Sequence, residues 1–464
     1  MKLRHWQRTC IDEALRKYQL PHSHFLCLAS PGAGKTIMAA TLAKELFDNK
    51  KIDLVMCFSP STVIASDFQI ELELVTQKRF CGGLASSGTS LCYHSMQNLD
   101  KRFWSLLEQN RVFVIFDEIH HCAGGTFHTA NTWGGQILAN IQGKATYTLA
   151  LTGTPWRSDN IPIALANYCQ SSNNIHCDHK YGLIDAINDG VCRVPHITAL
   201  DNRKITATNR NETSVYSSFS HLFASSIFGY KDIIEHPIVI KHLLIMAKSK
   251  LDKLRKLHPD IGGLIVAASV EHANQIKGCL LALGETAINV NYREYEPLLT
   301  IGSFKYSKDK WIISVGMISE GTNIPRLQVC CYLSHVKTEL YFRQVLGRIM
   351  RVYRNTDERG YFFMPAHEKL MEYARRISED IPEQVKIKTE IINTLELKAP
   401  KLNENQSEKT PEIGEKNLKL GTLSSRLSND TVYDMDSDDD QTLDDSYLSK
   451  INSLGRFSQV IFEL

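Results

Sequence analysis

Short runs of apolar residues recur along the chain, separated by segments whose apolar positions fall three and four apart. The runs at 24–30 (HFLCLAS), 53–59 (DLVMCFS), 112–117 (VFVIFD) and 146–152 (TYTLALT) are almost continuous in apolar side chains. Strands covered on both faces read this way. After a polar interval the pattern resumes at 262–268, 311–316 and 328–333. Helical spacing marks 35–48, 162–170, 182–190, 236–257, 270–282 and 338–353. Strands alternating with helices predict parallel sheets flanked by helices. Two series with a long gap between them predict two α/β lobes, at 1–195 and 236–395. The stretch NRKITATNRNETSVYSSFS (202–220) is polar and unperiodic, so 196–235 reads as a linker or insertion. From 396 onward hydrophobicity drops and charge thickens, and the expectation is an acidic, largely disordered tail.

Composition narrows the class. The chain of 464 residues is 43% hydrophobic and 22% charged. It has no run approaching the roughly 18–20 apolar residues of a membrane span, and its first residues lack the apolar core of a secretory signal. A cytoplasmic location without a membrane partner is expected. Twelve cysteines are scattered with no CxxC pair, which suits reduced thiols. Two clusters, Cys169/His176/Cys177/His179 and His120/His121/Cys122/His128, lack the paired spacing of a structural zinc site and read as loop and core residues. From Lys401 the chain carries 7 Lys/Arg against 13 Asp/Glu, whereas the totals are 53 and 51, so the part before it is net positive by 8. A mildly basic body is compatible with a polyanionic partner.

The candidate chemistry begins at ASPGAGKT (29–36), directly after a strand and opening a helix. Gly32 and Gly34 let the backbone curl so that successive N–H groups face phosphate oxygens. Lys35 can reach the β- and γ-phosphates, and Thr36 can hold magnesium. The strand VFVIFD then delivers Asp117 and Glu118 to its carboxyl end, where open α/β sheets bind ligands. Asp117 suits a magnesium shell, and Glu118 suits activating the water that attacks a γ-phosphate. Near the other end, YFRQVLGRIMR (341–351) places Gln344, Gly347, Arg348 and Arg351 on one face of a predicted helix. Gly347 costs that helix about 1 kcal/mol relative to Ala, so a close approach is expected there.

With DEIH following ASPGAGKT, the chain resembles the DExH-box ATPases of helicase superfamily 2, in the restriction-subunit-like (type III restriction Res, DEAD/DEAH) group, over residues 4 to about 370. The resemblance implies two tandem RecA-like lobes with ATP and Mg2+ between them. It implies an ATP site built from Gln7, which would read the adenine edge, with Pro31, Gly32, Ala33, Gly34, Lys35, Thr36 and Asp117. The loop SVGMISEGTNIPRLQV would add Gly321 and Asn323, the latter standing where most members carry Asp. QxxGRxxR would make Gln344 part of the catalytic face and Arg348 and Arg351 arginine fingers. LTGTPWRSD implies that Thr152 and Thr154 couple ATP state to nucleic-acid grip, through bonds to Asp117 or Glu118. The segments FSPSTVIASDFQ and SLCYHSMQNL sit where the family holds one strand, which points to Ser59, Ser61, Tyr93 and His94. The implied function is an ATP-dependent helicase or translocase, with DNA favoured over RNA and phage defence, restriction or repair as homes. A regulatory ATP switch within a larger complex stands as the alternative, as does an RNA helicase. The tail is read as a disordered end, with a short segment docking a protein partner, or an acidic strip covering the basic groove until nucleic acid displaces it, as the alternative.

Overall fold

The computed structural model describes residues 2–124, 130–154, 157, 159, 161–169, 175–209, 212–294, 296–318, 322, 324–354, 359–379, 449–454 and 457–463. Gly321 and Asn323, with Glu320, Pro155 and His128, lie outside the described residues, as does most of the expected tail. Two parallel sheets flanked by helices organise the chain.

The first lobe runs α1 (His5–Lys17), β1 (Ser23–Ala29), α2 (Lys35–Asp48), β2 (Leu54–Ser59), α3 (Thr62–Thr76), β3 (Gly88–Cys92), α4 (Lys101–Gln109), β4 (Val112–Phe116), α5 (Thr132–Asn140) and β5 (Tyr147–Thr152). The short pair β6 (Asn167–Tyr168) and β7 (Ile175–His176) then leads to β8 (His179–Tyr181) and α6 (Leu183–Asn188). The sheet order is β3-β2-β4-β5-β1-β8, and every pairing is parallel. The central strands β4 and β5 are buried along their whole length, as their unbroken apolar runs require.

The second lobe opens with β9 (Val194–Asn202), the hairpin of β10 (Ile205–Asn209) and β11 (Glu212–Tyr216), and the helices α7 (Phe219–Ala224), α8 (Tyr230–Ile234) and α9 (Pro237–Leu257). It continues with β12 (Gly262–Ala267), α10 (Val270–Ala282), β13 (Ala287–Val290), α11 (Pro297–Tyr306), β14 (Trp311–Ser314), β15 (Leu327–Leu333), α12 (Glu339–Ile349), β16 (Arg359–Pro365) and α13 (Glu368–Glu379). The strands β17 (Ser449–Leu454) and β18 (Phe457–Glu463) come last. The sheet order is β13-β14-β12-β15-β16-β9-β18, with β18 antiparallel against β9.

Four expectations change. The 162–170 segment is not helical: Gly124 N–H donates to Pro162 O at 2.7 Å and Ala164 N–H to Cys122 O at 2.8 Å, so its backbone bonds are spent on the DEIH loop. The 196–235 interval is structured, because β9 is a strand of the second sheet and pairs in parallel with β16. The last residues return to the body, with β17 on β10 and β18 on the β9 edge. Finally, α12 stops at Ile349. The Met350 carbonyl accepts from Arg193 N–H at 2.6 Å, and Arg351 bridges Cys192, so the chain leaves the helix before the second arginine.

Candidate active site

The phosphate loop leaves β1 at Ala29 and turns through Gly34 in the left-handed region (φ +93°) to start α2 at Lys35. That conformation suits glycine, and a Cβ on Gly34 would also lie 2.8 Å from Gln7 Nε2. Gln7 is buried and donates from Nε2 to Gly34 O at 2.9 Å, while its Oε1 accepts from Arg4 N–H at 2.8 Å. Arg4 Nη1 donates to Ala33 O at 2.5 Å. The helix α1 therefore grips the loop through two side chains, one of which, Arg4, the sequence reading left without a role.

Lys35 is nearly buried, and its Nζ stands 3.0 Å from Glu118 Oε1 and 3.2 Å from Ala29 O. Glu118 follows β4 with a left-handed backbone (φ +49°), and its Oε2 accepts from Gly153 N–H at 3.0 Å. Burial alone would push this carboxyl up, but Lys35, His120 and the Gly153 N–H outweigh it and bring it down to about 2. Asp117 is buried beside it, with its carbonyl accepting from the Tyr93 hydroxyl at 2.8 Å.

The TGT segment closes on this pair indirectly. Thr152 Oγ1 donates to Thr154 O at 2.6 Å and accepts from Thr154 N–H at 3.0 Å. His120 Nδ1 lies 2.9 Å from the same oxygen and 3.4 Å from Glu118 Oε2. Both neighbours accept, so the hydrogen-bond network assigns the His120 proton to Nδ1. The expected threonine–carboxylate bonds are thus replaced by contacts through His120 and the Gly153 N–H. Arg157 Nη1 donates to His120 O at 2.6 Å and holds that turn in place.

From the second lobe, α12 reaches the loop directly. A Cβ on Gly347 would meet Pro31 Cβ at 3.1 Å, which is the close approach its presence in a helix implied. Arg348 Nη1 and Arg351 Nη1 both donate to Thr322 O, at 2.7 and 3.1 Å. Arg351 Cγ lies 3.3 Å from where a Cβ on Gly32 would sit. Burial and the Arg348 charge push the Arg351 guanidinium down to about 9, which leaves it a cation at neutral pH. A cavity of about 1030 Å³ lies between these elements, lined by Lys35, Thr36, Asp117, Glu118, Gln344 and Arg348 among others.

The residues named for nucleic-acid contact separate. Ser59 and Tyr93 are fully buried, and Tyr93 stacks on Trp133 with ring centroids 5.7 Å apart. Tyr93 thereby orders the Asp117 turn and is closed to any strand. Ser61 caps α3, accepting from Ile64 N–H at 3.3 Å, a role that Ser before a helical run could have announced. His94 is exposed.

The residues fit ATP and magnesium. The cavity matches the upper range of small-molecule pockets, and the start of α2 aims backbone N–H groups into it. Thr36 and Asp117 offer the hard oxygen donors magnesium prefers, and one carboxylate suffices where substrate phosphates complete the shell.

Residues 1–157 match the family model described as type III restriction enzyme, res subunit. That match covers most of the first lobe. Two uncharacterized mycobacterial proteins are similar over more of the chain. Rv2917 of Mycobacterium tuberculosis is 29% identical over 392 residues, covering 80% of this chain and 62% of its own length. ML1624 of Mycobacterium leprae is 29% identical over 401 residues, covering 81% and 64%. The chain therefore spans less than two thirds of the length of these curated relatives. Among solved structures, a fragment described as an HsdR subunit of a type I restriction enzyme from Vibrio vulnificus YJ016 superposes with a TM-score of 0.56 at 15% identity, covering 82% of this chain and 67% of that one. The ATP-dependent type ISP restriction-modification enzyme LlaBIII bound to DNA superposes at 0.52 with 13% identity, covering 79% and 28%. These likenesses show that the chain shares its two-lobed fold with those structures over about four fifths of its length. Among the described residues no helix is long and apolar enough to cross a membrane.

Proposed function

We propose that the chain is a nucleic-acid-stimulated ATPase of the helicase/translocase kind, with DNA as its favoured track. The observation that carries this reading is the meeting of Lys35 and Glu118 with Arg348 and Arg351 around one cavity between the lobes. Magnesium held by Thr36 and Asp117 would neutralise phosphate charge. In the present arrangement Glu118 is quenched by Lys35. Drawing Lys35 toward a triphosphate releases Glu118 Oε1 as a proton acceptor for water, while Oε2 stays on the Gly153 N–H, and the same phosphate charge draws Arg348 and Arg351 off Thr322 O. Gln7 closes the adenine side, and hydrolysis resets the inter-lobe contact that α12 makes with Pro31. The preference for DNA rests on the resemblance to restriction-type motors.

Steady-state ATP hydrolysis measured without polymer and with single-stranded DNA, duplex DNA and RNA tests this. Stimulation by DNA is expected, with Arg348→Ala reducing the stimulated rate by roughly 10³-fold or more. A rate indifferent to every polymer would defeat the motor reading and direct the search to a protein partner.

A further inference from the structure

The segment that carries the chain from the first lobe to the second passes between the phosphate loop and the end of α12. Cys192 Sγ donates to Pro31 O at 3.4 Å, and Cys192 forms an isolated antiparallel bridge with Arg351. Arg193, the next residue, is 1% exposed. Its N–H donates to Met350 O at 2.6 Å, and its Nη1 donates to Leu327 O at 3.0 Å and to Ile349 O at 3.1 Å. Ile349 is the last residue of α12, so a guanidinium meets a carbonyl that the helix itself cannot satisfy. Leu327 begins β15, five residues after Thr322. The two pieces of backbone tied by Arg193 are therefore those that bring Arg348 and Arg351 onto Thr322 O.

We infer that Arg193 is a positioning residue for the arginine pair, and that the crossover Cys192–Arg193 relays the phosphate loop's position to it. The inference rests on the proposed ATPase reading. A buried arginine is costly unless its donors are matched. Here one guanidinium nitrogen, Nη1, at the end of a long side chain reaches two carbonyls on different elements. When Pro31 moves with the loop, Cys192 moves with it, and Arg193 carries the displacement to the end of α12.

The test uses the full chain with Arg193→Gln and Arg193→Lys, each checked for folding by circular dichroism and thermal unfolding. The amide NH2 also carries two donors, but it lies two bonds closer to the main chain than Nη1 and falls short of both carbonyls. The expected result for Arg193→Gln is a kcat loss on the order of 10²-fold, the scale of a misplacement of about 1 Å, with KM for ATP within about twofold. Arg193→Lys recovers part of the rate. In an Arg348→Ala/Arg351→Ala background the same Gln substitution costs less than about threefold more, because both residues it positions are already gone. Equal losses in both backgrounds, or a changed KM with kcat intact, overturn the inference. If Arg193→Gln does not fold, the Arg193→Lys cycle decides by the same criterion. Wild-type protein and Arg348→Ala separate the two levels. No ATPase in wild type sinks the functional reading, whereas an active wild type disabled by Arg348→Ala but not by Arg193→Gln sinks this one alone.

Discussion

Glu118 carries its charge in a backbone conformation that costs on the order of 1 kcal/mol for a residue with a side chain. That geometry is held by Lys35 on one oxygen and by the Gly153 N–H on the other. Its folded-state value of about 2 lies below the ordinary 4.5. The stabilisation from ionised Glu118 is therefore whole above about pH 4.5 and is lost as pH falls toward 2. Chemical denaturation of wild type and Glu118→Gln should give a stability difference that is constant from pH 8 to about 4.5 and shrinks only below it. A difference that already fades between pH 7 and 5 would mean that Lys35 and Gly153 do not hold the carboxylate as described. The same substitution should abolish hydrolysis while tightening ATP binding, because Lys35 no longer has to leave an ion pair. Part of this site was legible from side-chain identity alone, since Lys35, Asp117 and Glu118 sit in spacings whose chemistry is recognisable. Tyr93 was not. Its position in a loop after a strand suggests exposure, and only tertiary packing reveals a hydroxyl turned inward onto Asp117 O. Arg193 escaped for the opposite reason, because one basic residue in GVCRVP looks solvated until its apolar neighbours are seen to be buried with it.

At the scale of elements, contact between α12 and the phosphate loop sets the site's width. Gly347→Ala would gain about 1 kcal/mol in helix propensity, yet the new methyl would press on Pro31 at 3.1 Å. Proline is stiff, so the loop rather than the helix gives way. Thermal stability equal to or above wild type is expected, together with a severalfold rise in KM for ATP. Raised stability with unchanged ATPase parameters would mean that the loop absorbs the methyl without consequence. The long apolar runs that became β1, β2, β4, β5, β12, β14 and β15 could be read directly, because strands buried on both faces show unbroken hydrophobicity. The strands at the sheet edges could not. The strand β17, where it meets β10, and the last strand β18 owe their conformation to pairing with distant residues, such as Val460 opposite Ala199. Such strands are specified by what lies beside them, and a local pattern carries little of that.

Across the whole molecule, charge is divided rather than balanced. The residues before Lys401 are net positive, and those after it hold 13 Asp/Glu against 7 Lys/Arg, with seven aspartates between Asp434 and Asp445. Because β17 and β18 pair with β10 and β9, this acidic stretch is tied to the second lobe at its far end, while α13 ties the chain at Glu379. A polyanion tethered at both ends competes with any other polyanion for the same positive field, and the competition weakens with salt as the Debye length contracts from about 10 Å at 0.1 M toward 3 Å at 1 M. Replacing those seven aspartates with asparagine leaves chain length and both terminal strands intact. The expected result is tighter DNA binding at low salt, severalfold or more by fluorescence anisotropy, with the gain fading as salt is raised. The slope of log affinity against log salt should steepen, since more phosphate contacts then go unopposed. Equal affinities for the two proteins at low salt would show that the acidic stretch keeps clear of the proposed DNA track, and its charge would then have to be explained by a basic protein partner.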